Sequence, residues 1–404
     1  MASVGKRHVL FIVENLSVPF DRRVWREARA LSRNGYKVSV ICPKGLRSDI
    51  KSFEVIEGID IHRYNIPLTQ NSKTGYVNEY LRAFSSTLFL LIKINLKHKV
   101  DAIHVANPPE IFFPLGWLGK VLGFKFVFDH HDLSPETYTY KFGRGKNGLM
   151  YKLLLMLERM TFFVSYHVIS TNQSLREIAQ KRGKISDERI TIVRNGPDNA
   201  FIPVSPKHEL KKGKKYLAAY LGVMGQTDGV ENIIYAADKI INEHQKKDIL
   251  FILIGYGDEY HKHCALVKNL NLTDCVDLPG RLPDKEVLDI LSTSDLCLAP
   301  DPANGLNEFH TMNKIMDYMR CGKAIVSFDL AESKISADRA AIYVNNNDTS
   351  KFAREIIQLL EDPQKRLEMG AFGKKRVEEQ LKWEYSEKIF IDTYKNKIFA
   401  NDNK

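Results

Sequence analysis

The stretch NEFHTMNKIMDYMRCG, Asn307 to Gly322, followed at once by KAIVS to Ser327, decides how the chain is read. It predicts a loop, a short helix with a marked start and stop, and then a buried strand. Thr311 suits the helix N-cap, and Gly322 suits the left-handed residue past the last turn. Such a helix start offers backbone N–H groups and a partial positive charge, a natural seat for a phosphate. Lys314, at the third helical position on this reading, adds a full charge. Asp317, three residues on, shares its face. A phosphate seat beside a carboxylate that can hold a ribose hydroxyl is what a nucleotide-sugar site needs.

Outward from this stretch, short apolar runs alternate with longer helical patterns, the mark of parallel-sheet α/β domains. In the second half the expected strands are Tyr216–Leu221, Ile249–Ile254, Val276–Leu278, Leu296–Ala299, Ala324–Ser327 and Ala341–Val344, with a helix over Val230–Asn242. In the first half they are Val9–Val13, Lys37–Cys42, Ile59–Tyr64, Ala102–Val105, Lys125–Asp129, His167–Ser170 and Ile190–Val193. Helices are expected over Arg22–Asn34, near Glu79–Lys97 and around Pro109–Leu122. At 404 residues the chain exceeds one hydrophobic core. The expected fold is two doubly wound Rossmann-like domains, residues 1–200 and 201–382, joined by a polar, lysine-rich linker near residues 196–214. Their ligands belong at the carboxyl ends of the strands, facing a central cleft. Residues 383–404 hold an aromatic-rich amphipathic helix, Trp383–Phe399, with no strand after it.

The net charge of +10 is unevenly placed: residues 1–200 carry about 30 Lys and Arg against about 18 Asp and Glu. A basic first half suggests an anionic partner such as nucleic acid, a phospholipid surface or a phosphorylated acceptor, against the plainer reading of a solvated basic face. The five cysteines are scattered, three of them in or beside apolar runs, which fits buried thiols in a reducing cytosol. His8–Val13 has a strand's length and runs into Glu14, so it does not read as a signal peptide, and no run has the length of a membrane span. Leu88–Ile92 and Leu149–Val164 are the most apolar stretches and read as core-facing helices rather than membrane-surface ones.

Several loops could carry chemistry. Gly222–Gly229, with Gly225, Gln226, Asp228 and Gly229, is a glycine loop between strand and helix, suited to close backbone approach but common to every α/β fold. Loops at Gly255 and at Gly280-Arg281 leave neighbouring strands, and the three should converge with the Glu308–Asp317 segment. In the first half, Asp129-His-His-Asp-Leu-Ser-Pro-Glu136 follows a strand directly, where acid, base or sugar-binding groups belong. Successive strand residues face opposite ways, so this run does not make a metal site. His261-Lys-His-Cys264 reads as a solvated helix face. Arg22, Arg23 and Arg26 open a helix against its dipole, which an anion facing Arg22 or Arg23 across the cleft would explain.

Together these residues resemble the retaining glycosyltransferases of family 4, of the GT-B fold, over nearly the whole chain. The residues that carry the resemblance are Pro19–Leu31 with Gly35 and Val38, Asp129–Glu136, Arg194–Pro197, Gly222–Gly229, Gly255–Gly257, Gly280–Pro283, and Asn313–Met319 with Gly322 and Lys323. The resemblance implies sugar transfer from a nucleotide donor with retention and without a metal or other cofactor. It also implies a C-terminal helix that crosses back to the first domain. Three departures stand out. The first of two acidic residues usual in the family falls at Phe309, leaving Glu308 as its substitute. Gln226 and Asp228 occupy a loop where many members carry cations. A histidine often used after the strand falls near Ala106-Asn107, which turns attention to His131 and Asp132.

The expected arrangement has the diphosphate of a UDP- or GDP-sugar at Thr311, Met312, Asn313 and Lys314, Asp317 on the ribose and Glu308 on the sugar. Asn107, His131 and Asp132 line the acceptor side. The acceptor is expected to be a lipid-linked or oligosaccharide chain at the inner face of the cell membrane, with cytoplasmic location, peripheral contact with anionic lipid and no nucleic-acid partner, in polysaccharide or lipopolysaccharide assembly. Two rivals stay open: a non-catalytic nucleotide-sugar-binding or partner subunit of a transferase complex, and a sugar-nucleotide epimerase.

Overall fold

The computed structural model describes residues 6–45, 49–66, 73–143, 148–197 and 202–400. The chain forms two compact units: the first runs to Arg194 and resumes at Ser386, and the second is Asn195–Tyr385.

In the first unit the order is β1 (His8–Ile12), α1 (Arg22–Arg33), β2 (Lys37–Pro43), β3 (Phe53–Ile56), β4 (Ile59–Tyr64), α2 (Lys73–Lys97) and β5 (Ala102–Ala106). It continues with α3 (Pro114–Leu122), β6 (Lys125–His130), α4 (Ser134–Phe142), α5 (Leu149–Val164), β7 (His167–Ser170), α6 (Gln173–Gly183) and β8 (Ile190–Ile192). The second unit has β9 (Tyr216–Leu221), α7 (Val230–Asp238), β10 (Ile249–Ile254), α8 (Tyr260–Asn269), β11 (Val276–Gly280), α9 (Asp284–Thr293) and β12 (Leu296–Ala299). Then come α10 (Asn313–Arg320), β13 (Ala324–Phe328), α11 (Ala331–Ala337), β14 (Ala341–Val344), α12 (Thr349–Glu361), α13 (Pro363–Arg376) and α14 (Trp383–Thr393), whose last eight residues already belong to the first unit.

The first sheet has the order β3-β4-β2-β1-β5-β6-β7-β8 and the second β11-β10-β9-β12-β13-β14. Every described pairing is parallel except β3 with β4. This is the two-domain Rossmann-like α/β architecture. Strands covered on both faces read as unbroken apolar runs, which is why β5, β10, β12 and β13 are buried at every residue. The sheets reverse their strand order between β1 and β5, and between β9 and β12, the positions where α/β sheets bind ligands.

Several details differ from the sequence reading. β3 was not expected: it is a half-exposed edge strand turned back onto β4 through Glu57 and Gly58, both at positive φ as a tight hairpin turn requires. Helix α10 begins at Asn313 after Met312, whose ψ of 105° is extended, so Met312 rather than Thr311 is the cap and Lys314 is the second helical residue. Its end is as expected: Gly322 has φ +67°, its N–H donates to the Met319 carbonyl and that of Lys323 to Tyr318. His263, read as solvated, is buried in α8, and burial lowers its pKa. Four cysteines rather than three are buried, Cys42, Cys275, Cys297 and Cys321, and none of the five is bridged. The two apolar helices do not face only the core. Phe89, Ile92 and Leu96 of α2, and Leu149, Leu153, Met156 and Phe163 of α5, are exposed. No described helix is long and apolar enough to cross a membrane.

Candidate functional site

In the second unit, three glycine loops meet at the carboxyl ends of β9, β10 and β11. The Gly222 N–H donates to the Ile254 carbonyl at 3.1 Å, and the Gly255 N–H to the Gly280 carbonyl at 3.0 Å. Glycine is required here by contact as well as conformation. A Cβ on Gly255, at φ +149°, would lie 1.8 Å from the Gly222 oxygen; one on Gly229, at φ +64°, would lie 2.3 Å from the Pro300 oxygen. The loop after β9 thus packs directly on the end of β12, at the reversal of strand order. Asp228 closes this loop by accepting from the Gly225 N–H at 3.0 Å. Gly225, Asp228, Gly229, Gly255 and Gly280 are therefore brought together. Gln226 and Arg281 are exposed on their loops.

The segment before α10 is tied to the same loop through a residue the sequence reading passed over. The buried Asn307 side chain donates to the carbonyls of Thr227 and Pro302 at 2.9 and 3.0 Å. This fixes the short turn that carries Glu308, which is half-buried. Thr311, Met312 and Asp317 are also half-buried, and Asn313 is exposed.

Lys314 differs most from expectation. Instead of presenting an uncommitted charge, its side chain is only 9% exposed and its Nζ lies 2.7 Å from Asp301 Oδ1, 3.4 Å from the Tyr220 hydroxyl and 4.0 Å from Asp228. Burial opposes its charge, but Asp301 and Asp228 more than offset this and raise its pKa. Two acids face one ammonium. Burial accordingly pushes the Asp228 carboxyl up to about 6, against the pull of Lys314. Asp301 and Tyr220 were invisible to the sequence reading because each lies in or just beyond an apolar strand.

In the first unit, Asn107 binds the start of the 131–133 loop that leads into α4. Its Oδ1 accepts from the N–H groups of His131 and Asp132 at 2.9 and 3.2 Å. Its Nδ2 donates to the Asp132 carbonyl at 2.8 Å and to Glu110 at 2.9 Å. Asn107, His131 and Asp132 are thus assembled, but the Asn107 amide is buried and occupied in holding the other two. The alternation of β6 separates its neighbours: His130 turns to the apolar face against Phe128 and Phe162, where burial lowers its pKa to about 3, while Asp129 turns to the other.

On that second face lies a buried charge network. Arg23 grips Asp129 with two parallel bonds of 2.8 and 2.7 Å, reaches Glu27 at 3.0 Å and donates to the Val193 carbonyl at 3.2 Å. The expectation that Arg23 awaits an anion across a cleft is therefore corrected: its anions are Asp129 and Glu27 of its own unit, and its side chain is 8% exposed. Arg22, the first residue of α1, is exposed. Asp21 caps the helix by accepting from the N–H groups of Arg23 and Val24, which offsets the cations at its start.

His104, which the sequence reading missed, completes the network. Its Nε2 lies 3.2 Å from Glu27 and 3.7 Å from Asp129, and its Nδ1 lies 2.8 Å from the Tyr394 hydroxyl. Burial works against the His104 charge, but the nearby carboxylates of Asp129 and Glu27 carry its pKa up to about 9. Burial alone would raise Asp129, yet Arg23 and His131 hold it well below the usual carboxylate range. Glu27, His104 and Asp129 offer ligand atoms within 4.8 Å of one another. The cation they hold is the Arg23 guanidinium. His131 Nδ1 meets Asp129 Oδ2 at 3.2 Å, so this half-buried histidine rests on the network.

Comparison with known proteins agrees with these two units. Residues 21–201 match the family described as Glycosyltransferase Family 4, and residues 215–362 match Glycosyl transferases group 1. An uncharacterised glycosyltransferase of Methanocaldococcus jannaschii is 23% identical over 281 residues, 68% of this chain and 70% of that protein. Sucrose-phosphate synthase from Thermosynechococcus elongatus has a similar fold, with TM-score 0.75 and 17% identity over 98% of this chain and 100% of that one. The Anabaena protein HepE, solved with UDP-glucose, matches at TM-score 0.70 and 14% identity over 96% and 98% of the two chains. At these identities the structural likeness speaks for the fold alone.

Proposed function

Because the chain belongs to the group 1 glycosyltransferases, we propose that it moves a hexose-type sugar from a UDP- or GDP-sugar to a lipid-linked or oligosaccharide acceptor, with retention at the anomeric carbon and without a metal. The observation that carries this reading is the floor of three glycine loops running from the strand reversal of the second unit, packed backbone to backbone so that a ligand could approach the main chain closely. The diphosphate lies against the start of α10, whose amides meet the charge that develops as the C1–oxygen bond to the leaving group breaks. Asp317 holds the ribose, and Glu308, fixed through Asn307, holds the sugar hydroxyls. The acceptor oxygen attacks from the same face, and its proton passes to the departing phosphate.

Lys314 takes part indirectly. A diphosphate arriving nearby favours protonated Asp228, which leaves the ammonium matched by Asp301 alone rather than outnumbered. On the first unit, His131 and Asp132 orient the acceptor hydroxyl. The exposed apolar residues of α5, interspersed with Lys152 and Arg159 and flanked by Lys120 lying over the Phe163 ring, suit peripheral contact with an anionic membrane face. Work at the cytoplasmic side of that membrane, in cell-surface polysaccharide or lipopolysaccharide assembly, follows from this reading.

The test is donor hydrolysis. Purified protein incubated with single nucleotide sugars is expected to release nucleoside diphosphate slowly from one of them, with the freed sugar first appearing as the donor's own anomer by NMR. Release of the opposite anomer would overturn retention. No release from any donor, with or without saccharide acceptors, would overturn transfer.

A further inference from the structure

The C-terminal segment does more than cover the sheet. Helix α14 begins in the second unit and ends in the first, and Tyr394 follows directly after it. Tyr394 is fully buried, packed edge-on against Phe390 and next to Phe399. Its hydroxyl meets His104 Nδ1 at 2.8 Å, 290 residues earlier in the chain. From His104 Nε2 the path runs to Glu27 and Asp129, and from Asp129 Oδ2 to His131 Nδ1. With Nδ1 of His131 donating to Asp129, Nε2 is the ring atom left to serve an acceptor hydroxyl. Core packing alone would be served as well by phenylalanine at 394 and an apolar residue at 104.

We propose that Tyr394 and His104 are positioning residues: through Asp129 they fix the tautomer and orientation of His131, so that the segment returning from the second unit sets the acceptor-side group. This rests on the proposed role of His131 in orienting the acceptor. The groups that face His131 are Asp129 on β6, Arg23 on α1 and its cap Asp21, with His130 before it on the opposite face of the strand and Asp132 following in the loop; Glu27 and His104 stand behind Asp129. Burial disfavours a charged His131, and Asp129 counters this and raises it. In the described network two cations, Arg23 and His104, balance Glu27 and Asp129. Removing the His104 charge leaves a carboxylate uncompensated beside His131, which then binds its proton more tightly.

Histidine-resolved NMR titration together with the pH profile of transfer tests this. His104→Gln should raise the His131 titration midpoint by about one unit and carry the acid limb of kcat/KM upward with it. Tyr394→Phe, which keeps the ring, should move both in the same direction by less, with kcat lowered several-fold and the donor KM unchanged. Phe399→Leu, which disturbs the same aromatic packing without touching the relay, should leave the midpoint in place. In the wild-type protein at neutral pH, His104 should carry protons on both ring nitrogens and His131 a proton on Nδ1. A neutral His104, or a His131 midpoint unmoved in both relay variants, overturns the proposal, as does a shift in Phe399→Leu equal to theirs. A shifted His131 in a protein that transfers no sugar sinks the proposed reaction and leaves the relay standing.

Discussion

Two buried charge clusters, one in each unit, use similar residues to different ends. In the first unit two cations, Arg23 and His104, face two carboxylates, Glu27 and Asp129, with a bidentate grip at the centre. In the second a single ammonium, Lys314, stands against Asp301 and Asp228. The balanced cluster has nothing left over and behaves as a scaffold. The unbalanced one keeps a carboxyl near neutrality, so its charge can change when an anion arrives. Sequence position does not reveal this, since each cluster sets a cation on a helix against an acid from another element; only the count of partners within reach does.

The comparison breaks most readily in the first cluster. Arg23→Ala leaves two buried carboxylates with one cation and should cost about 3–5 kcal/mol of unfolding free energy by urea denaturation. A loss under 1 kcal/mol would mean the network is not a scaffold. Lys314→Ala strips Asp301 of its partner, but Asp228 can take up a proton, so the expected loss is smaller, about 2 kcal/mol, together with most turnover. Equal losses in the two variants would erase the distinction drawn between the clusters.

Gly255→Ala sharpens the site rather than the clusters. Its new methyl would press on the Gly222 carbonyl in a conformation that side chains rarely adopt, for a loss of about 2 kcal/mol. The smallest effect is one of pH. The Asp228 carboxyl is raised in the folded state, so its stabilisation is complete below the ordinary carboxylate range and is lost as pH rises through about 6. Discounted for partial exposure, this amounts to about 1 kcal/mol. Asp228→Asn should flatten the stability of the protein between pH 4 and pH 7 by that much in thermal melts. An unchanged slope would show that Asp228 is ionised throughout.

The sheets were legible in the sequence because both of their faces are covered. Tyr216–Leu221, Ile249–Ile254 and Leu296–Ala299 are continuous apolar runs and form strands over those residues. The edge strand Phe53–Ile56 was not, since alternate residues face solvent and the run is four residues long. Reading Thr311 as the cap followed residue preference, whereas the backbone turns helical only after Met312. At the site, glycine positions could be read because contact forbids other residues there. Charge pairing could not. Arg23 and Lys314 each look like free cations in one dimension, and their partners lie 106 and 13 residues away. One signal was present but unused: Glu27, His104 and Asp129 occupy positions that helical and strand periodicity assign to the interior, and interior charges must find one another.

The central claim, that the glycine-loop floor of the second unit holds a nucleoside diphosphate sugar, is tested most directly by thermal stabilisation across UDP-, GDP- and ADP-sugars, with Gly255→Ala alongside the wild type. One donor class should raise the melting temperature of the wild type in a concentration-dependent way and leave Gly255→Ala unmoved. An absence of stabilisation by every donor, or equal stabilisation of both proteins, would contradict it.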